Sequence, residues 1–187
     1  MASATAAEGP GSYRPPTMPP SRRVVAIFLA ATCLALAGCA PRRAVAATPA
    51  PPAGYGPVAQ RILELVNAER ARGAVCGGER MAPAAALTLE PHLVAAARAH
   101  SADQAGHAFM GHVGSDGSRV GDRVTRAGYR WSLVAENVAW NQPTPEVVVT
   151  AWMGSPAHCS AIMLPEVRHL GAAEEELFWT LVVAAPL

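Results

Sequence analysis

Fifteen Lys and Arg against fourteen Asp and Glu leave this 187-residue chain with a formal net charge of +1. Its basic residues are scattered, so no strong field draws it to nucleic acid. The length suits one domain with appendages. The 51% apolar content leans on alanine and on one N-terminal hydrophobic run, with no second stretch long enough to span a bilayer.

Residues 1–17 are rich in Ala, Gly, Pro and Ser and show no periodicity. Arg22 and Arg23 then precede VVAIFLAATCLALAGC, an apolar run of moderate length, which is the pattern of a secretory signal. Such a signal starts near the initiator methionine, so Met18 is the expected true start and residues 1–17 an upstream extension. The run ends Leu36-Ala37-Gly38-Cys39, which resembles the bacterial lipobox. That resemblance implies cleavage before Cys39 and acylation of its thiol, giving a membrane partner through a lipid anchor; a plain signal peptide or a transmembrane anchor is the other reading. Ala40 does not look like an inner-membrane retention signal, so the expected location is the bacterial cell envelope, extracytoplasmic, on the outer membrane or periplasmic face where the cell has one. Residues 1–39 are thus read as extension and signal. Residues 40–57, dominated by Pro and Ala, are an extended tether, and residues 58–187 are the domain.

Of the four cysteines, Cys33 lies inside the signal and Cys39 at its end. Cys76 and Cys159 remain, an even pair in an exported, oxidising setting, and a disulfide between them is expected. Two free thiols, or a metal site combining Cys159 with His158, are the alternatives.

The domain opens with a helix: Val58, Ile62, Leu65 and Val66 fall at helical spacing, and Gly73 ends it. GAVCGGERMAPAA reads as a loop, broken by Gly77, Gly78 and Pro83, and Leu87 to Leu89 as a short extended lead-in. Glu90-Pro91 starts a second helix, the proline at its first position and the Glu charge suiting the N-terminus. His100, Asp103 and His107 share one face of it. They are a possible metal stripe by spacing, but more often such positions are hydrogen-bonded or solvated. Ser115 to Ser118 is a turn with Gly117 at positive φ, and Ser118 to Ala127 a short helix closed by Gly128. Thr144-Pro145-Glu146 is a strong helix start. The residues from Ser160 to Ala173 and from Leu177 to Ala185 read as two strands joined at Glu174-Glu175-Glu176, the last strand apolar enough to be central. Helices first and strands last make an α+β order, with helices packed on an antiparallel sheet.

The chain carries, in order, Leu65-Val66-Asn67 with Arg70, Ala99-His100-Ser101 with Asp103, His112 with Asp116-Gly117-Ser118, Ala127-Gly128-Tyr129, Glu136-Asn137, Ala151-Trp152-Met153 with Ser155-Pro156 and His158, and Trp179-Thr180. Together these motifs resemble the CAP superfamily of cysteine-rich secretory proteins, venom allergens and plant pathogenesis-related proteins. The resemblance covers roughly residues 58–187 and implies a three-layer α-β-α sandwich with a small antiparallel sheet and a surface cleft. A cysteine pair like Cys76 and Cys159 also occurs in one bacterial branch of the family. Many eukaryotic members hold two histidines and two glutamates in the cleft, and some bind zinc or another divalent cation there. By motif His112, Glu136 and His158 match three of the four. The second glutamate has no counterpart near Met153-Gly154-Ser155, and Ala135, Ala157 and Ala161 replace the usual Gly, Gly and Asn.

His112, Glu136 and His158 are therefore the candidate metal ligands and proton carriers, with an expected cofactor of zinc or another divalent cation if the site is loaded. Three such groups can instead hydrogen-bond one another and lock the cleft. No catalytic residue is assigned, because no second carboxylate is placed as a base and no Ser-His-Asp arrangement is visible. The favoured expectation is a lipid-anchored, non-enzymatic binding or interaction module of the envelope, taking an envelope lipid, glycan or protein. The alternative is a metal-dependent hydrolase, a peptidase or a cell-wall enzyme.

Overall fold

The computed structural model describes residues 54–187. The signal run, Met18, Cys39 and most of the 40–57 tether lie outside the described residues. Helix α1 (Pro57–Arg72) has proline in its first turn and buries Ala59, Ile62, Val66 and Arg70 along one stripe. Two polar residues of this helix tie the following chain down. The Asn67 amide donates to the Leu87 carbonyl and accepts from the Leu87 N–H, and the buried Arg70 guanidinium donates to the carbonyls of Ala85, Ile162 and Leu164.

The segment after α1, expected to be an irregular loop, is an antiparallel hairpin of β1 (Ala74–Cys76) and β2 (Glu79–Met81). Its turn is Gly77-Gly78, at φ +60° and +94°, the left-handed pair that a two-residue hairpin turn demands. Strands of three residues are too short to show an alternating pattern. After β3 (Thr88–Leu89), helix α2 (Pro91–His107) is capped by the Glu90 carboxylate, which accepts from the Leu93 N–H at 2.9 Å. Helix α3 (Val120–Arg126) and strand β4 (Trp131–Trp140) follow. Thr144 Oγ1 accepts from the Val147 N–H to start α4 (Pro145–Gly154).

The stretch after His158, expected to be strand from Ser160, is first a helix. Pro156 opens α5 (Pro156–Met163), and strand β5 begins only at His169 (His169–Glu175). Proline at a first helical position, right behind Ser155, was the missed signal. β5 and β6 (Phe178–Pro186) form the expected hairpin. Its turn is Glu176-Leu177, both at positive φ, while Glu174 and Glu175 belong to β5, and the Glu174 carboxylate accepts from the Leu177 N–H.

The main sheet runs β3-β5-β6-β4, with β3 parallel to β5 and the other pairs antiparallel. Side chains of β5 and β6 alternate between two cores. Leu170, Ala172, Trp179, Leu181 and Val183 face α1, α4 and α5. Ala173, Val182 and Ala184 face α2 and α3. The result is an α+β sandwich of three layers, with β6 buried in its centre as expected. Helix α2 rests almost on the backbone of β5: a Cβ added at Gly171 would stand 2.1 Å from the carbonyl carbon of Leu93.

Candidate functional site

β4 is an edge strand, and its consecutive residues Glu136 and Asn137 point to opposite faces. Glu136 points into the α2/α3 layer, where its side chain is only 2% exposed. Arg123 of α3 donates to Glu136 Oε2 at 2.7 Å, and the His112 ring nitrogen Nδ1 lies 3.0 Å from Oε1. A buried carboxylate is tolerated only when paired and hydrogen-bonded, and here both oxygens are. Asn137 points the other way and donates to the main-chain carbonyl of His158 on α5.

The loop carrying His112 is held by α2. His100 Nε2 lies 2.8 Å from the Gly111 carbonyl, and the Gly111 N–H donates to Gln104 Oε1 at 3.2 Å. The peptide groups on either side of Gly111 are thus gripped by two fully buried side chains, which sets where His112 begins. Arg123 also donates to the His112 carbonyl and to the Ser118 carbonyl, binding the loop to α3. His100 is itself 3.9 Å from Glu136 Oε1. Burial pushes its imidazole below the usual histidine range, opposed in part by the Glu136 charge. Asp103 and His107, its partners in the stripe, pair with each other, and Asp103 also accepts from Ser115 at the surface, so the three form no common site.

Above this network lies a cleft of about 290 Å³. His112, Glu136 and His158 all line it, with His158 on the wall formed by α5. The three candidate residues therefore share one concavity, but they do not converge on one point. Among the described residues no three His, Cys, Asp or Glu side chains stand so as to hold a metal ion. A cation at Glu136 would have to displace Arg123 from Oε2 or the His112 ring from Oε1. As arranged, the residues do not fit the zinc that the resemblance implied. Arg123 and His100, which sequence reasoning did not place at this site, stand 2.7 and 3.9 Å from the Glu136 carboxylate. Arg123 carried no motif. His100 sat in a motif but read as one position of a helical stripe.

Cys76 and Cys159 form a disulfide, with Cα atoms 5.4 Å apart across 83 positions of sequence. This excludes free thiols and a Cys159–His158 metal site. It also staples the β1–β2 hairpin to α5, beside His158.

The molecule is thus a helix–sheet–helix sandwich with a cleft at its edge strand, the fold that the resemblance to CAP domains implied. Residues 63–176 match the model of the CAP, or cysteine-rich secretory protein, family, and the chain belongs to that family. YkwD of Bacillus subtilis (strain 168) is 30% identical over 135 residues, covering 71% of this chain and 49% of YkwD, so the chain spans about half the length of that relative. Among solved structures, an extracellular protein containing an SCP domain from Bacillus anthracis str. Ames superposes with a TM-score of 0.62 at 21% identity, over 68% of this chain and 40% of that one. An outer surface protein from Borrelia burgdorferi gives a TM-score of 0.55 at 15% identity, over 68% of this chain and 95% of that one. A cysteine-rich secretory protein from Staphylococcus aureus gives 0.55 at 15%, over 72% and 40%. At these identities the structures share the fold.

Proposed function

We propose that this chain is an extracytoplasmic CAP-domain protein of a bacterial cell envelope, lipid-anchored at Cys39, whose cleft is a non-enzymatic binding or interaction site. One observation carries the non-enzymatic part: both oxygens of Glu136 are committed to Arg123 and His112 in a nearly dry setting. A general base needs an oxygen facing the reacting atom, and neither oxygen of Glu136 stands without a partner. The envelope location is supported by the arginine-led apolar run ending in Cys39, by a disulfide of the kind that persists in oxidising compartments, and by likeness to an extracellular and an outer surface protein.

The metal-dependent hydrolase remains the second reading, because His112, Glu136 and His158 do line one cleft. Calorimetric zinc titration of the protein against its His112→Ala variant separates the two. Equal, non-saturating heats are expected. Saturable zinc binding lost in His112→Ala, with a zinc-dependent hydrolysis lost in His158→Ala, would replace the binding reading by the enzymatic one. For the anchor, Cys39→Ser expressed in a bacterial host should move the protein from the membrane fraction to the soluble one. Unchanged membrane association would remove the lipid anchor from the proposal.

A further inference from the structure

We propose that the cleft takes an extended peptide, which adds to the outer edge of β4 as a fifth strand of the four-stranded sheet, with a peptide carboxylate paired to Arg119. The inference rests on the reading of the cleft as a binding site and names its ligand class.

The hydrogen-bond phase of β4 fixes which groups face outward. The Asn141 N–H donates to the Leu177 carbonyl at 3.0 Å. In the register Trp140↔Phe178 to Val134↔Ala184, the bonded pairs are then those of Ala135, Asn137 and Ala139. Val134, Glu136, Val138 and Trp140 turn their N–H and C=O away from β6. Val138 agrees with this phase, since its carbonyl accepts from the Trp152 indole across the outer edge. Among the described residues, no loop or side-chain group caps Val134 or Glu136 in the same way, and both line the cleft. Glu136 is half-buried as a residue although its side chain is 2% exposed. The part of it that meets solvent is therefore its main chain. An edge strand with unpaired donors and acceptors is a template for another strand.

The surroundings suit a narrow occupant. Apolar side chains of Val120 and Leu164 line the cleft, and Ala157 and Ala161 keep the α5 wall low, so alternate side chains of an added strand find apolar seats. The charge favours an anion. Arg123 neutralises Glu136, whereas Arg119, exposed at the cleft, enters no ion pair among the described residues. A guanidinium left so pairs well with a carboxylate.

The test uses the folded, nitrogen-15-labelled chain and acetyl-Ala-Val-Thr-Val-Ala bearing a free C-terminal carboxylate. At millimolar peptide, hydrogen exchange at the Val134 and Glu136 amides is expected to slow at least about tenfold. The same peptide N-methylated at alternate residues should give no protection. The C-terminal amide should bind about tenfold more weakly than the acid, a difference that Arg119→Gln abolishes while leaving the fold intact. Unchanged exchange at both amides, or equal binding of the N-methylated peptide, would overturn the proposal. Dodecanoate supplies the contrasting probe. If it shifts Val120 and Leu164 while the peptide leaves both amides unprotected, the cleft is a binding site and the peptide assignment fails. If neither probe perturbs the cleft, the peptide assignment fails together with the reading beneath it.

Discussion

Glu136 and Asn137 are adjacent on β4, yet their side chains bond to opposite layers of the sandwich: Glu136 to Arg123 and His112, Asn137 to the carbonyl of His158. The pair acts as a rivet through the edge of the sheet. It fixes the two walls of the cleft against each other, and it explains why a glutamate and an asparagine stand side by side in a strand whose neighbours are mostly apolar.

Arg123→Met leaves the Glu136 carboxylate buried beside a neutral side chain and also frees the Ser118 and His112 carbonyls. Stability is expected to fall by about 3–5 kcal/mol, read by urea denaturation. Arg123→Met combined with Glu136→Gln should recover part of that loss, because the uncompensated charge has gone. A double variant as unstable as the single one would show that packing, not charge, holds the site.

Gly171→Ala tests the close approach of α2 to β5. The new methyl meets the backbone of Leu93 and Val94, which cannot move without lifting the helix from the sheet. A loss of about 3 kcal/mol or more is expected, measured as Tm. Gly106→Ala serves as the control, since nothing lies near its added methyl, and it should be neutral or slightly stabilising.

Replacing both Cys76 and Cys159 by Ser removes a cross-link across 83 positions and should cost about 2–4 kcal/mol. The matching measurement is denaturation of the native protein with and without reductant. Coincident curves would mean that the bond adds nothing to stability.

The pH dependence follows from His100. Its folded pKa is lowered by burial, so protonation opposes the native state. Its neutral form is favoured fully above the ordinary histidine value of about 6.5, and stability falls as the pH drops below that. There the unfolded chain takes up a proton that buried His100 refuses, with a slope of at most about 1.4 kcal/mol per pH unit. Asp116 and Glu146 are held below the usual carboxylate range by bonds to Ser118 and Arg126 and to Arg61 respectively. They lose their contribution only below about pH 4. His100→Gln, which keeps a donor toward the Gly111 carbonyl, should flatten the profile between about pH 6.5 and 5. An unchanged slope would assign it elsewhere.

Much of the fold was legible because its signals are local. Pro91 behind Glu90, Pro145 behind Thr144 and Gly73 behind a periodic run each mark a helix end through chemistry confined to one turn. The β1–β2 hairpin and α5 were not read. The first is too short for alternation, and the second is an eight-residue helix whose proline, directly behind α4, reads equally well as a helix end. At the site, His112 and Glu136 were placed by motif and do meet. Their partners were hidden for a physical reason. Which face of β4 turns inward depends on the register with β6, and only that register brings Arg123 and His100 to the carboxylate.

The recessed edge of β4 has a bearing on how the molecule behaves when crowded. A naked sheet margin ordinarily invites a neighbouring molecule's sheet to zip alongside and grow into fibrils. Here residues of α5 and of the loop at His112 line the same cleft as that margin, and on the proposal above they leave room for a single strand rather than a sheet. Such walls would let pairing groups stay open without inviting a second copy of the chain.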